Sequence, residues 1–361
     1  MNAVWKEDAW MLDESKIAML LGWRPMQLAD VCACMDIIAA DPVIGPRYGA
    51  ALEDLGYAWR HLLGSAAMTT SVFVRSDRNR QEVVGFSVSV FVSDRCIREI
   101  KTPPLSWFGP ELAKRVGGRN SPILTDSEVR DANSGEGLNE LVWESLAIPE
   151  IAQRPEFYHV MLGSFIEAHR GFFFNELITS QSGSAERMQC AVDSGGLYWN
   201  PSRRCYQATS PEPTGVLVTQ PYIVGITRDL AFARHGSWVG TLFDYRPPQF
   251  GVSRGEQQLL LTALASSGGT DHELAGNLRL SVPTIKKMWS SIYRRVNASN
   301  PELIPDSALA ESGTRERGRE KKRSLLAYIR EHPEELRLHS PKLLTASLHR
   351  QPAEDACQIA Q

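Results

Sequence analysis

Residues 252–296 read V-S-R-G-E-Q-Q-L-L-L-T-A-L-A-S-S-G-G-T-D-H-E-L-A-G-N-L-R-L-S-V-P-T-I-K-K-M-W-S-S-I-Y-R-R-V. Three short helices fit inside this stretch, each with a legible start. Ser253 caps the first, with Glu256 three residues on, which is capping-box spacing. Its apolar face runs Leu259, Leu260 and Leu264, with Leu261 alongside, and Gly268-Gly269 stops it. Thr270 or Asp271 caps the second helix, whose inner side is Leu274, Ala275 and Leu278. Ser281 caps the third, and Pro283 falls in its first turn, where a missing N–H costs little. Steps of three and four put Val282, Ile285, Trp289, Ile292 and Val296 on one stripe.

The other side of the third helix carries Thr284, Lys286, Lys287, Ser290, Ser291, Arg294 and Arg295, so four cations and no acid lie between Ser281 and Val296. A capped second helix, a tight turn near Arg279-Leu280 and a basic third helix meet the needs of a helix-turn-helix. In that motif the second helix braces and touches the backbone of a duplex, and the third enters the major groove. The candidate DNA-binding residues are therefore Thr270, Asp271 and His272 on the second helix, and Ser281, Pro283, Thr284, Lys286, Lys287, Ser290, Ser291 and Arg294 on the third. Thr284, Lys286 and Lys287 form the expected reading face, with Ser290 and Arg294 toward phosphates.

These residues resemble the LuxR-type helix-turn-helix. That family runs roughly L-T-x-x-E-x-x-V-L, a glycine, S-N-x-E-I-A-x-x-L, then S-x-x-T-V-K-x-H-x-x-x-I-y-x-K-L. The matching positions are Val252-Ser253, Glu256, Leu259-Leu260, Gly268, Thr270-Asp271, Glu273-Leu274-Ala275, Leu278, Ser281, Thr284-Ile285-Lys286, Ile292-Tyr293 and Arg295-Val296. Met288 stands where the family often has histidine, and Val296 replaces the usual leucine. The resemblance covers about 45 residues of the 361 and implies a transcription regulator, bacterial in type, that binds duplex DNA as a homodimer. It also implies an element behind the third helix that often carries the dimer contact, for which Asn300–Ala310 is the candidate helix.

Charge is distributed accordingly. Residues 1–252 hold 23 Lys and Arg against 29 Asp and Glu, whereas residues 253–350 hold 16 against 11. An acidic front and a basic back suit a chain whose C-terminal part meets nucleic acid. No apolar run approaches a membrane span, and the start M-N-A-V-W-K-E-D-A-W lacks a signal pattern. The six cysteines are scattered, which argues for a reducing cytoplasm rather than a disulfide framework. Cys32 and Cys34 are two apart on an expected helix and point to different sides, so no metal is expected there.

The front alternates helices and strands and predicts an α/β domain, a mixed sheet flanked by helices, over residues 1–245. Helices are expected at 26–40, about 46–63, from Cys96 to the break at Pro103-Pro104, as a turn at Pro110–Val116, from Pro155 to about His169, and at Ala185–Val192. Strands are expected at Met68–Val74, Glu82–Val92, Leu138–Ile148, Phe172–Ser180 and around Leu197-Tyr198-Trp199, with residues 1–24 a lead-in and 117–137 a loop. Arg246-Pro247-Pro248 opens a hinge at 246–252, and the helix-turn-helix domain runs 253–312. In 313–361, Glu311–Glu320 reads as a loop, Lys321–Leu338 as a basic helix interrupted by Pro333, and the last twenty residues as frayed.

This order resembles the acyl-CoA N-acetyltransferase (GNAT) fold over about residues 25–200. In that family the loop after the long central strand cradles pyrophosphate with an R/Q-x-x-G-x-G/A run. Here the strand Glu82–Val92 leads into S-D-R-C-I-R-E-I, which has no glycine, and Arg115-Val116-Gly117-Gly118-Arg119 comes late. The resemblance therefore implies a fold without its cofactor site, and no cofactor is expected. No nucleotide-cradling G-x-x-x-x-G-K-[ST] run, paired receiver acids or G-x-S-x-G elbow is present. His159 and His169 stand ten apart, where a metal pair wants four. The aromatic runs Trp107-Phe108, Phe172–Phe174 and Tyr198-Trp199 read as core ahead of ligand pocket. The expectation is a DNA-binding regulator, not an enzyme, with an N-terminal domain that senses a small-molecule effector or holds the dimer. The alternative is a GNAT-type acyltransferase with an accessory C-terminal module.

Overall fold

The computed structural model describes residues 20–77, 80–118, 120–182, 189, 191–209, 221–234, 237–266, 268–304 and 314–339. Its first strand, β1 (Leu20–Arg24), lies in the stretch read as a lead-in. The helices α1 (Asp30–Ala40), α2 (Ile44–Tyr48) and α3 (Ala51–Leu62) follow, where two longer helices were expected. Strands β2 (Met68–Asp77) and β3 (Arg80–Val92), both expected, form an antiparallel pair. Ser93 then caps α4 (Asp94–Lys101), and α5 (Phe108–Arg115) follows.

The stretch 117–137 is not all loop. Thr125 Oγ1 accepts from the backbone N–H of Glu128 and the Thr125 N–H donates to the Glu128 carboxylate in return, and this capping box starts α6 (Asp126–Asn133). Strand β4 (Leu138–Ala147) leads through the single turn α7 (Pro149–Ala152) into α8 (Pro155–His169), each helix opened by a proline at its first position. Then come β5 (Phe174–Ser182), β6 (Leu197–Asn200), β7 (Cys205–Gln207), β8 (Tyr222–Thr227) and α9 (Arg228–Ala233). The helix expected at Ala185–Val192 lies largely outside the described residues.

The eight strands make one mixed sheet in the order β1-β2-β3-β4-β5-β8-β6-β7. Only β4 and β5 run parallel, joined by the crossover through α8. Alternation along β2 assigns the two faces: Val72 and Val74 join the main core with α1, α3 and α5, while Phe73 packs with Phe157 of α8 on the other face. Trp59, Phe86 and Trp143 meet edge-on inside the main core, and Phe172 and Phe174 are buried there too.

The basic part has its own core. Here α10 (Arg254–Ala265), α11 (Asp271–Leu278) and α12 (Val282–Ser299) form a trihelical unit, and α13 (Thr314–Glu331) lies against α10. Of the stretch expected as a helix at Asn300–Ala310, the described residues 300–304 hold a 3-10 turn at Pro301–Leu303, and residues 305–310 lie outside the described set. The loop expected at Glu311–Glu320 is helical from Thr314, since Arg, Glu and Lys outweigh one glycine in helix preference. Pro333 ends that helix as expected and begins a second 3-10 turn, Pro333–Leu336.

A strap of residues 331–339 fastens the two parts together. Toward the trihelical unit, Glu335 accepts the backbone N–H groups of Gln249 and Phe250, both at 2.9 Å, and Leu336 O accepts from Gln257. The segment read as a hinge is thus held, with Phe250 and Val252 buried. Toward the sheet, Arg337 donates to the carbonyls of Ala168 at 2.7 Å and Arg170 at 2.8 Å, and its guanidinium covers the Phe172 ring. Those carbonyls end α8, where a cation also meets the negative end of the helix dipole. Arg170 returns the contact to Glu331 O and Glu334. Asn133 donates to Leu338 O, and His339 sits against Ser134 and Tyr245. Gly171, at φ +82°, lets Glu334 approach where a Cβ would lie 2.5 Å from its Cα. A direct ion pair, Arg254–Asp126 at 3.1 Å, joins the same two parts.

Candidate functional site

Three side-chain caps set the geometry of the trihelical unit. Ser253 and Thr270 each make a capping box, with Glu256 and Glu273, and Ser281 accepts the backbone N–H of Thr284. Between α11 and α12, Arg279 adopts the left-handed conformation, φ 54° and ψ 40°, and Leu280 N–H closes the turn on Ala275 O at 2.9 Å. Ile285, Trp289, Ile292 and Val296 are buried, which turns the opposite side of α12 outward.

That outward side holds Pro283, Thr284, Lys286, Lys287, Ser290 and Arg294, all exposed, with Ser281 exposed at the cap. Ser281 and Thr284 hydroxyls pair at 2.8 Å, and Ser290 donates back to Lys286 O at 2.9 Å. Ser291 and Arg295 lie at the seam instead. Arg295 bridges Glu256 and Phe250 O and donates to Ser291 Oγ at 3.1 Å. Burial works against charge on Glu256, but hydrogen bonds from Arg295 and Ser253 hold its carboxyl below the usual range. Arg295 therefore locks α10 to α12, and the outward face has three cations, not four, between Ser281 and Val296.

On α11, Thr270 and His272 are exposed, while Asp271 is half-buried and paired with Lys322 of α13 at 3.1 Å. Lys322 also donates to Gly269 O and lies over the Trp289 ring. It pairs with one of the two acids in the first turn of α11; the other, Glu273, is exposed. The run Lys321-Lys322-Arg323 lies inside α13. Arg279 was outside the expected set, yet it is exposed beside the cap of α12. Its signal was legible: an arginine stands where a turn ordinarily uses glycine or asparagine.

A second feature lies in the sheet. Strands β4 and β5 pair only from Leu138/Phe174 to Leu141/Ile178 and then part. The strand that leads into the parallel crossover is β4, and the turn after it, Ile148–Arg154, contains no glycine. A cavity of about 600 Å³ opens at the parting, walled by Trp107, Trp143, Glu144, Phe157, Tyr158 and Met161. Glu144 Oε1 accepts the Tyr48 hydroxyl at 2.7 Å, the only hydrogen bond to this carboxylate among the described residues. Burial pushes Glu144 up to about 7. Elsewhere, His169 is buried against Glu140 and Thr69, whereas His159 is exposed. Cys32 is exposed and Cys34 buried, as their spacing requires. Among the described residues no group of three or more His, Cys, Asp or Glu is placed to hold a metal, and no helix is long and apolar enough to cross a membrane.

Comparison with known proteins finds no matching family model, no matching curated protein and no matching solved structure.

Two predictions follow from this geometry. Left-handed backbone is unfavourable for arginine, so Arg279→Gly should add up to about 1 kcal/mol of stability. Urea unfolding checks it, and a loss of stability would show that the Arg279 side chain holds the turn. Glu144 titrates near 4.3 when unfolded and at about 7 in the fold. The folded state binds the extra proton in that window, so stability falls as pH rises through it. Glu144→Gln keeps an acceptor for Tyr48; it should match the parent at about pH 4 and exceed it by about 1–3 kcal/mol at about pH 8. Parallel pH profiles for the two proteins would contradict the burial of this charge.

Proposed function

We propose that this chain is a cytoplasmic transcription regulator that reads duplex DNA with α12, in the manner of a LuxR-type helix-turn-helix. One observation carries the proposal: α12 buries Ile285, Trp289, Ile292 and Val296 and turns out a face of small polar and cationic groups free of acids. Thr284, Lys286 and Lys287 meet base edges, while Ser290, Arg294 and Arg279 meet phosphates. Thr270 and His272 contact the backbone from α11, and Asp271 serves by holding Lys322. A homodimer presents two such helices to a two-fold site one DNA turn apart. The sheet domain, fastened by the strap, governs the pose of the trihelical unit in response to a small-molecule effector. Lys286→Ala should weaken binding to the preferred duplex more than to unrelated duplexes, and lower the salt slope of log K by up to about one. Equal losses on every duplex would move Lys286 from the bases to the phosphates, and no loss on any duplex would take it out of the interface.

A second reading, acyl transfer, is favoured by the parting of β4 and β5 and by the near-neutral Glu144 in the cleft. Against it stands the turn Ile148–Arg154, with no glycine, followed by a proline that removes one N–H from the start of α8. Millimolar acetyl-CoA should leave the melting temperature unchanged; a clear rise would favour the transferase.

A further inference from the structure

We infer that the cavity where β4 and β5 part is the effector site, that it takes an organic cation with an apolar body, such as an arylalkyl amine, and that α8 carries its occupancy to the strap. This rests on the reading of the chain as an effector-controlled DNA binder and names the site, the ligand class and the route.

The wall chemistry selects the ligand. Asp41 and Glu144 line the cavity with one guanidinium, Arg47, and that group lies flat over Trp107, 3.3 Å from the ring centroid. Asp41 is engaged at the start of α2, where its Oδ1 accepts the N–H groups of Val43 and Ile44 at 2.8 Å. Glu144 keeps one oxygen without a hydrogen-bond donor among the described residues. Arg47 offsets only part of the cost that burial puts on charging this carboxylate, and a ligand ammonium placed against it offsets more. Trp143, Phe157 and Tyr158 offer ring faces and edges to the apolar body and to the cation. The volume, about 600 Å³, fits a molecule of drug size or smaller.

The route is mechanical. Phe157, Tyr158 and Met161 form the cavity wall from the first two turns of α8. Its last turn is clamped by Arg337 through the carbonyls of Ala168 and Arg170, and residues 335–336 of the same strap hold the trihelical unit. A helix of fifteen residues, about 22 Å long, moves as a body. A ligand that displaces its first turn must therefore load the clamp at its far end, and only that difference between bound and free poses can shift duplex affinity.

Phenethylamine is a suitable probe, with phenethyl alcohol as neutral isostere and phenylacetate as anion, each titrated into the full chain at about pH 8 by quenching of tryptophan fluorescence. The expected order is amine well ahead of alcohol, with the anion weakest. Glu144→Gln should reduce amine binding at least tenfold and leave the alcohol unchanged. Amide exchange should change along 157–170 and 335–339 when the amine binds, and the affinity for DNA should change with it. Equal binding of amine and alcohol, or full amine binding by Glu144→Gln, overturns the site. Binding without an exchange change at 335–339 overturns the route. Acetylation of the amine when acetyl-CoA is added overturns the effector assignment in favour of a transferase. Amine binding with its exchange signature in a chain that ignores every duplex upholds the site and route and refutes the DNA reading instead.

Discussion

A helix with 3.6 residues per turn cannot bury Ile285, Trp289, Ile292 and Val296 without turning Lys286, Lys287, Ser290 and Arg294 out. This division is the constraint on which the C-terminal half depends. The buried stripe closes the core with Leu259, Leu260 and Leu274, and the same closure fixes the spacing and pitch of the outward face. Arg295 and Lys322 refine it. Both are cations by sequence, yet each is spent on an internal acid, Glu256 and Asp271, so the charge left on the face is smaller and more ordered than composition suggests.

The sheet domain and the trihelical unit have separate cores, and what unites them is polar. Arg337, Glu335, Asn133 and Gln257 satisfy backbone groups on the other element rather than packing apolar surface. Burial pushes Arg337 down to about 10, which leaves it charged at neutral pH and makes its carbonyl partners costly to remove. Such a joint is specific in geometry and sensitive to small shifts, as the proposed transmission from the cavity requires.

Elements with local signals were legible in the sequence. The capped helices α10 to α12, the β2–β3 pair and α8 all follow from period and punctuation. The T-D-S-E run at 125–128 carries an equally local capping-box signal, set among polar neighbours. The five-residue β1 carries too little alternation to stand out. The pairing of β4 with β5, and hence the cavity, depends on which strands meet, and no local pattern encodes that. The strap was hidden for the same reason, since the partners of Arg337 lie about 167 residues away in sequence. Arg295 sits at the edge of the stripe, where period alone leaves its direction open and Glu256 decides it.

Methylation interference on a duplex selected from a random pool by the full chain tests the central claim most directly. N7 of guanine lies in the major groove and N3 of adenine in the minor groove. If α12 is the reading helix, methyl groups at guanine N7 should block binding in two patches about one helical turn apart, and Lys286→Ala should weaken the block. Recovery of no preferred duplex, or interference confined to adenine N3, would contradict the account.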